Sequence, residues 1–352
     1  MRRHFLDNLR YAIVLSVIFY HICYLLNNVG IITNVTITGI PAMDAVEYLL
    51  YPWFMVTLFT ISGICARYSL QKQTDKEFLR SKVRRQLIPS LTIVPLFGWT
   101  TGWVTNRYLE MFSENAPTPG IVKYLIFCLI GIGVLWYLHE LLLGELLLVL
   151  IRKLDRKERL WRLGGKANLP VLCLLALALW GSAQILNTPL ITCYRHGIYL
   201  FAFFIGYFVF SHDHVQETLS KHALPLLAIA AVLAVVYTVT AWGENYTDLA
   251  HLRAPLTNLY AWFALLAVLG AGKRFWERET AFTRYMAPRS FGFYVLHYPL
   301  TVLLTYLMDW HLHLPAWSLY LLLPVLLVLI LPLLVTAVKR IPIVRRLILG
   351  EK

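Results

Sequence analysis

The chain has 352 residues, of which 59% are hydrophobic and 14% are charged. A soluble protein carries about 25% charged residues, so this composition excludes a soluble globular protein and predicts an all-α, polytopic membrane helix bundle. The net charge of +13 would suit nucleic-acid binding. However, the basic residues cluster in short loops between apolar segments, as the positive-inside rule requires, so we expect a lipid bilayer and no nucleic acid as partner.

The first long apolar segment, RYAIVLSVIFYHICYLL, contains two ionisable side chains, Arg10 and His21. An Arg at the centre of a membrane helix costs about 2.5–3.5 kcal/mol on insertion scales, so such residues usually mark a functional site. Eleven residues make about three helical turns, which places both side chains on one face, about 16 Å apart along the axis. This spacing predicts a face that holds a long anionic molecule end-on.

Further segments are long enough to cross a bilayer, which takes about 20 apolar residues. With the first one, they lie at 8–28, 46–69, 86–106, 168–186, 194–211, 222–242, 254–272, 289–309 and 316–338. A longer apolar run covers 121–151. Because the basic loops 70–85 and 152–166 are predicted to be cytoplasmic, this run must cross an odd number of times. One crossing with a bent or interfacial piece at 131–133 fits best, which gives ten transmembrane helices.

The basic tail places both termini in the cytoplasm. We find no internal repeat and no linker of low complexity. The sequence therefore predicts a single transmembrane domain over residues 1–352.

His21 is the first candidate for chemistry. The ordinary pKa of imidazole is about 6.5, and burial favours the neutral form that a general base needs. The alternative is a histidine that only forms a hydrogen bond with a neighbouring helix. Arg10 on the same face favours the functional interpretation.

Basic residues at the cytoplasmic ends of two segments could bind phosphate. Arg67 closes the second segment, and Arg84 and Arg85 precede the third one in FLRSKVRRQLIPS. Guanidinium groups bind phosphate in a bidentate manner, so these residues could form a cationic entrance for a phosphate-rich ligand. The alternative is that they only determine the topology.

Glu140 lies inside the apolar sequence GVLWYLHELLLGELLL. A carboxylate in an apolar helix needs a partner, so we predict that Glu140 pairs with an Arg or orients an imidazole. The adjacent His139 points about 100° away, so the two residues do not face one site equally.

His297 and Tyr294 lie one helical turn apart in SFGFYVLHYPL, where a substrate role and a structural role are both open. At the predicted outer rim, Trp242, Glu244 and Asp309 could bind a sugar by ring stacking and hydrogen bonds, or act as interfacial anchors. The five cysteines form no C-x-x-C pair, and none lies beside histidines at a spacing typical of a metal site. We therefore expect no metal site.

Six sequence blocks, in order, resemble the acyltransferase 3 family of integral membrane proteins. They are LDNLRYAIVLSVIFYH, FTISG, FLRSKVRRQLIPS, LWYL, YLFAFFIGY and SFGFYVLHYPL. One block alone is weak, whereas six in register over nearly the whole chain are specific. The ending KRIPIVRRLILGEK is also similar to that of family members that succinylate periplasmic glucans.

The resemblance implies a multi-pass enzyme of the bacterial inner membrane. It would move an acetyl or succinyl group from acyl-CoA, bound from the cytoplasm, to a hydroxyl of an extracytoplasmic carbohydrate. His21 would act as general base or as a nucleophile that carries the acyl group briefly. The expected catalytic residues are His21, Arg10 and Glu140. The expected residues for acyl-CoA are Arg67, Arg84, Arg85, Ser62 and Trp136. The expected residues for the acceptor are His297, Tyr294, Trp242, Glu244 and Asp309.

Two other classes of function compete with this hypothesis. A transporter of an anionic small molecule would also bury ionisable groups, although the chain shows no repeated halves. A membrane scaffold would tolerate apolar replacements of Arg10 and His21. The sequence leaves open the acyl group, the acceptor and whether the protein is a monomer or a homo-oligomer.

Overall fold

The structure, a computed structural model, describes residues 3–112, 118–188 and 193–351. Helices make up 79% of the residues in these ranges, which contain no strand. The predicted all-α, polytopic class is therefore confirmed.

The helices follow one another with short connections. The first are α1 (His4–Leu25), α2 (Asp44–Leu70), α3 (Asp75–Lys82), α4 (Ile88–Ile93), α5 (Trp99–Leu109) and α6 (Gly120–Ile130). The next are α7 (Trp136–Leu154), α8 (Arg159–Gly164), α9 (Leu169–Ser182), α10 (His196–Ile205), α11 (Asp213–Lys221) and α12 (Ala223–Ala241). The last are α13 (Leu249–Arg253), α14 (Pro255–Phe275), α15 (Ala281–Met286), α16 (Ser290–Trp310), α17 (Ala316–Arg340) and α18 (Pro342–Leu349). Short 3₁₀ or π-helical turns adjoin them at Pro41–Met43, Val83–Leu87, Val94–Gly98, Gly133–Leu135 and Gly206–Phe210.

Within the described ranges, eight helical segments are long and apolar enough to cross a membrane. They are His4–Leu25, Pro41–Leu70, Asp75–Leu109, Gly133–Leu154, Ala223–Ala241, Pro255–Phe275, Ser290–Trp310 and Ala316–Arg340. The other two predicted crossings correspond to shorter helices. One is α9, with 14 residues, and the other is His196–Phe210, which bends by 97° into α11. The count of ten transmembrane helices and the cytoplasmic location of both termini stay predictions.

The predicted break at 131–133 separates α6 from α7. A 3₁₀ turn at Gly133–Leu135 follows the end of α6, and Gly133 has a φ of +40°, a left-handed value that strains residues with a Cβ. Gly131 packs directly on Gly98, where a Cβ would lie 2.1 Å from the carbonyl oxygen. The glycines therefore permit both the bend and the close approach of two helical segments.

Contacts divide the chain into two compact units, each described by itself. Unit 1 comprises Met1–Ile13, Tyr48–Lys82 and His139–Ala287, and unit 2 comprises Val14–Glu47, Val83–Leu138 and Pro288–Lys352. The single domain expected over the whole length stays a prediction.

In unit 1, α14 forms the centre and packs against α9, α11 and α12. Trp262 of α14 is fully buried, and its indole N–H donates to the carbonyl oxygen of Leu172 at 2.8 Å. Nearby, α2 and α10 cross at two glycines. A Cβ at Gly63 would lie 2.0 Å from the carbonyl oxygen of Phe203, and one at Gly206 would lie 2.2 Å from that of Thr60. The FTISG and YLFAFFIGY blocks thus meet at one glycine-mediated crossing.

In unit 2, α16 packs against α17, and α18 packs against α4 and α17. One face of α17 is buried through Leu319, Leu323 and Leu327, at helical spacing. Its other face exposes large apolar side chains such as Val328 and Leu333, which are 65% and 70% accessible. Such an apolar outer surface suits contact with lipid.

The crossing of α2 and α10 gives a test of the fold. Gly63→Ala should destabilise the protein by about 1–3 kcal/mol, because the added methyl group has to displace backbone atoms. Gly181→Ala is the matched control, since a Cβ at Gly181 meets nothing within 4 Å. Thermal unfolding in detergent should show a lower midpoint for Gly63→Ala alone. Equal midpoints for the two variants would contradict the close crossing.

Candidate functional site

Two imidazoles, those of His21 on α1 and His297 on α16, meet within unit 2. His297 Nε2 lies 3.2 Å from His21 Nδ1, and the ring centroids are 5.1 Å apart. His297 is fully buried, whereas His21 is partly accessible. The structure thus brings together two residues that the sequence assigned to catalysis and to the acceptor separately.

Backbone carbonyl groups determine where the protons of this pair lie. His297 Nδ1 is 2.7 Å from the carbonyl oxygen of Tyr294 and 3.1 Å from that of Phe293, and because carbonyl oxygens only accept, this nitrogen carries the hydrogen. In the neutral ring, His297 Nε2 is then an acceptor. His21 Nδ1–H points between it and the carbonyl oxygen of Val17, which is 2.8 Å away. His21 Nε2 remains unprotonated, as a general base or a nucleophile requires.

Tyr298, which the sequence analysis missed, packs against the two imidazoles. Its ring centroid lies 5.0 Å from that of His21, and its hydroxyl donates to Asn34 Oδ1. Asn34 Nδ2 in turn donates to Thr105 Oγ1 at 2.8 Å. Hydrogen bonds therefore connect Tyr298, which packs against the His21 ring, with Asn34 in the loop after α1 and with Thr105 on α5. The sequence offered one signal for Tyr298, namely its position directly after the candidate His297.

Tyr294 supports the site in two ways. Its carbonyl group accepts the hydrogen of His297 Nδ1, and its hydroxyl donates to the carbonyl oxygen of Val134. Its ring lies 5.6 Å from that of Tyr137, and the Tyr137 ring lies 6.4 Å from that of the half-buried Trp136. Trp136 and Tyr294 thus belong to one aromatic cluster in unit 2.

Arg10 lies in unit 1, on the helix that also carries His21. Its guanidinium donates to Cys65 Sγ at 3.1 Å and lies 3.4 Å from an Asp7 carboxylate oxygen. The side chain is 35% accessible. The expectation that Arg10 and His21 line one passage stays a prediction.

Arg67 is engaged by a carboxylate that the sequence analysis did not single out. Its two terminal nitrogens donate to the two carboxylate oxygens of Glu158 at 2.6 and 3.1 Å, and its guanidinium stacks 4.1 Å from the Trp161 ring. This guanidinium lowers the pKa of the Glu158 carboxyl below its usual value. Glu158 therefore stays ionised at neutral pH, and Arg67 has a charged partner.

Glu140 has the kind of partner that the sequence predicted, an imidazole. One of its oxygens lies 2.6 Å from His196 Nδ1, and Glu140 itself is 1% accessible. The adjacent His139 points elsewhere, with Nδ1 3.0 Å from the hydroxyl of Tyr194. His196 was missed, although an ionisable residue at the start of an apolar segment was a signal for it.

The remaining residues expected to bind acyl-CoA lie at two places. Ser62 is half-buried on α2, directly before the close contact at Gly63. Arg84 and Arg85 lie in the π-helical turn of unit 2, where Arg84 Nε donates to the carbonyl oxygen of Gly350 at 3.3 Å and Arg85 is exposed.

The outer-rim candidates lie in different units. Trp242 in unit 1 is 48% accessible and its ring centroid is 5.8 Å from that of Tyr48, whose hydroxyl donates to the carbonyl oxygen of Glu244. Asp309 in unit 2 accepts a hydrogen bond from the Tyr108 hydroxyl at 2.7 Å. Among the described residues, no cluster of His, Cys, Asp or Glu could hold a metal ion.

Comparisons with known proteins agree with the six sequence blocks. The sequence profile described as "Acyltransferase domain", that of the acyltransferase 3 family, matches residues 3–338. Proteins named glucans biosynthesis protein C from Shigella boydii serotype 4 (strain Sb227) and Escherichia coli (strain SMS-3-5 / SECEC) are each 22% identical over 86% of this chain and 82% of their own length. The same values hold for the protein of that name from Escherichia coli (strain K12). No solved structure matches the chain significantly.

These matches decide between the competing classes of function. A match over nearly the whole length favours an acyltransferase over a transporter or a scaffold. The chain belongs to the acyltransferase 3 family and is a membrane acyltransferase.

Proposed function

We propose that this acyltransferase moves an acetyl or succinyl group from cytoplasmic acyl-CoA to a hydroxyl of an extracytoplasmic carbohydrate. The location would be the inner membrane of a bacterium. The observation that carries this proposal is the contact between His21 and His297, because it leaves His21 Nε2 unprotonated on a partly accessible ring.

The imidazole pair suits O-acyl transfer. When the hydroxyl oxygen attacks the thioester carbonyl, His21 Nε2 takes its proton, the new C–O bond forms and the C–S bond breaks. The proton then passes to the departing CoA thiolate. His297 is a positioning residue in this scheme, because its Nε2 accepts from His21 Nδ1–H and holds the ring in the required tautomer.

His21 could instead attack the thioester itself and carry the acyl group until the hydroxyl arrives. Labelled acyl-CoA given to the purified protein without acceptor separates the two routes. A nucleophile leaves label on the protein that is lost in His21→Ala, whereas a general base leaves none.

Arginines would bind the phosphates of the donor. Arg10 and Arg85 keep accessible guanidinium groups, while Arg67 and Arg84 have the contacts described above. Ser62 and Trp136 would contact the same acyl-CoA, since both lie in blocks that resemble the family. Glu140 would act through His196, whose ring it orients.

A glucan is the proposed class of acceptor, because the relatives are named for glucan biosynthesis. Trp242 and Glu244 in unit 1 and Asp309 in unit 2 lie near helix ends that are predicted to be external. An exposed indole beside polar groups suits stacking on a sugar ring.

The role of His297 can be tested with two substitutions. His297→Gln keeps an acceptor for His21 Nδ1–H, whereas His297→Leu removes it. We expect His21→Ala to lose about 10²–10⁴-fold in kcat, and His297→Leu to lose more activity than His297→Gln. Acyl transfer by purified protein is the measurement. Equal activities of the Gln and Leu variants would show that the contact does not serve catalysis.

Donor binding should depend on ionic strength. Each guanidinium that neutralises a phosphate near the surface contributes an interaction that salt screens, so the affinity for CoA should fall as salt rises. Arg85→Gln should flatten this dependence. Arg346→Gln, which removes another exposed arginine of unit 2, is the control and should leave it unchanged. A dependence on salt that is identical in both variants would remove Arg85 from the donor site.

A further inference from the structure

A cavity of about 80 Å³ lies beside Arg67 within unit 1. Three arginines line it, Arg67, Arg152 and Arg156, together with the acidic residues Asp155 and Glu158. Among the residues that line the cavity, three arginines face two carboxylic acids, in a space of the size of a phosphate group. Guanidinium groups favour an anion such as phosphate as ligand.

Arg67 is a buried arginine in the wall of this cavity, and its guanidinium is held in place by its neighbours. The residue is only 7% accessible, and its Nε forms no hydrogen bond with the part of the chain that the structure describes. A buried donor without an acceptor is unfavourable, so Glu158 and Tyr207 do not satisfy this guanidinium completely. Trp161 stacks on the guanidinium and holds its plane in place.

Tyr207 adds a donor at the same place. Its hydroxyl oxygen accepts from Arg67 at 3.3 Å and from Arg152 at 2.6 Å, so its own hydrogen can be donated to a further oxygen. Arg152 is oriented from its other side by Asp75, at 3.1 Å. Two fixed guanidinium groups and one hydroxyl therefore converge.

Glu158 is the part of the cavity that is replaced most easily. It lies between α7 and α8 with a φ of +52°, in the left-handed region that is unfavourable for a residue with a Cβ. Its side chain is 41% accessible, and both of its oxygens bind the Arg67 fork as two oxygens of a phosphate would. The ion pair thus joins a fixed, buried cation to a strained, accessible anion.

We propose that this cavity binds a phosphate group, and that Glu158 occupies the Arg67 guanidinium until a phosphate displaces it. The proposal rests on the proposed function in one respect, because acyl-CoA would supply that phosphate. Free phosphate is the other source of the same chemistry. Glu158 then sets the donor affinity from within the protein.

The test is the affinity of the purified full-length protein for CoA, for dephospho-CoA, which lacks the 3′-phosphate, and for inorganic phosphate. Glu158→Gln should bind CoA about tenfold more tightly, because the competing charge is gone. A gain for CoA that is absent for dephospho-CoA assigns the cavity to the 3′-phosphate, and a gain for both assigns it to the diphosphate. A gain for inorganic phosphate alone keeps the phosphate site but overturns its assignment to CoA.

Two further variants keep the result interpretable. Glu217→Gln removes a carboxylate that lies 3.6 Å from Lys273, and it should leave all three affinities unchanged. Arg67→Gln added to Glu158→Gln should abolish the gain. Unchanged affinities in Glu158→Gln, with normal thermal unfolding, would overturn the proposal. If Glu158→Gln does not fold, Glu158→Asp, whose shorter side chain reaches Arg67 poorly, should show a smaller gain, and no gain there overturns it equally.

Binding and turnover also separate this proposal from the proposed function. His21→Ala combined with Glu158→Gln should still bind CoA more tightly, since no acyl transfer is needed. Tighter binding without any dependence of turnover on His21 would leave the phosphate site intact and overturn the catalytic role of His21.

Discussion

The cost of placing an ionisable side chain in an apolar interior governs the chemistry of this protein. A buried charge or polar group is stable only with a partner, and the described helices supply such partners across long distances in sequence. Glu140 meets His196, and the buried Glu145 forms an ion pair with the partly buried Lys82. The pairing requirement therefore explains why each of these buried carboxylates has a partner.

The imidazole pair of unit 2 satisfies this requirement without a charge. One neutral ring, that of His21, donates a hydrogen bond to the other, that of His297. A backbone carbonyl group accepts the hydrogen on His297 Nδ1. A carboxylate in place of His297 would instead favour a protonated His21, which could not accept a proton from a hydroxyl. A neutral partner thus suits a base that works in an apolar surrounding.

The arginines show how one residue type serves several ends. Arg67 is buried against Glu158, whereas Arg10 and Arg85 stay accessible. A buried guanidinium with a replaceable carboxylate can exchange that partner for a ligand, and an accessible one gives attraction that salt screens.

The sequence by itself determined the membrane class, the helical segments, the break at 131–133, the family and the presence of His21 and Arg10 on one helix. These features depend on composition and on spacing within one segment, which helical geometry converts directly into position. It also required a partner for Glu140 without identifying which one.

Only the tertiary structure decided the partners. His297 is 276 positions from His21, His196 is 56 from Glu140, and Glu158 is 91 from Arg67. Helical periodicity relates residues of one helix and says nothing about which helices become neighbours, so several buried or loop residues could have served equally. Packing, including the glycine crossing of α2 and α10 within unit 1, selected among them.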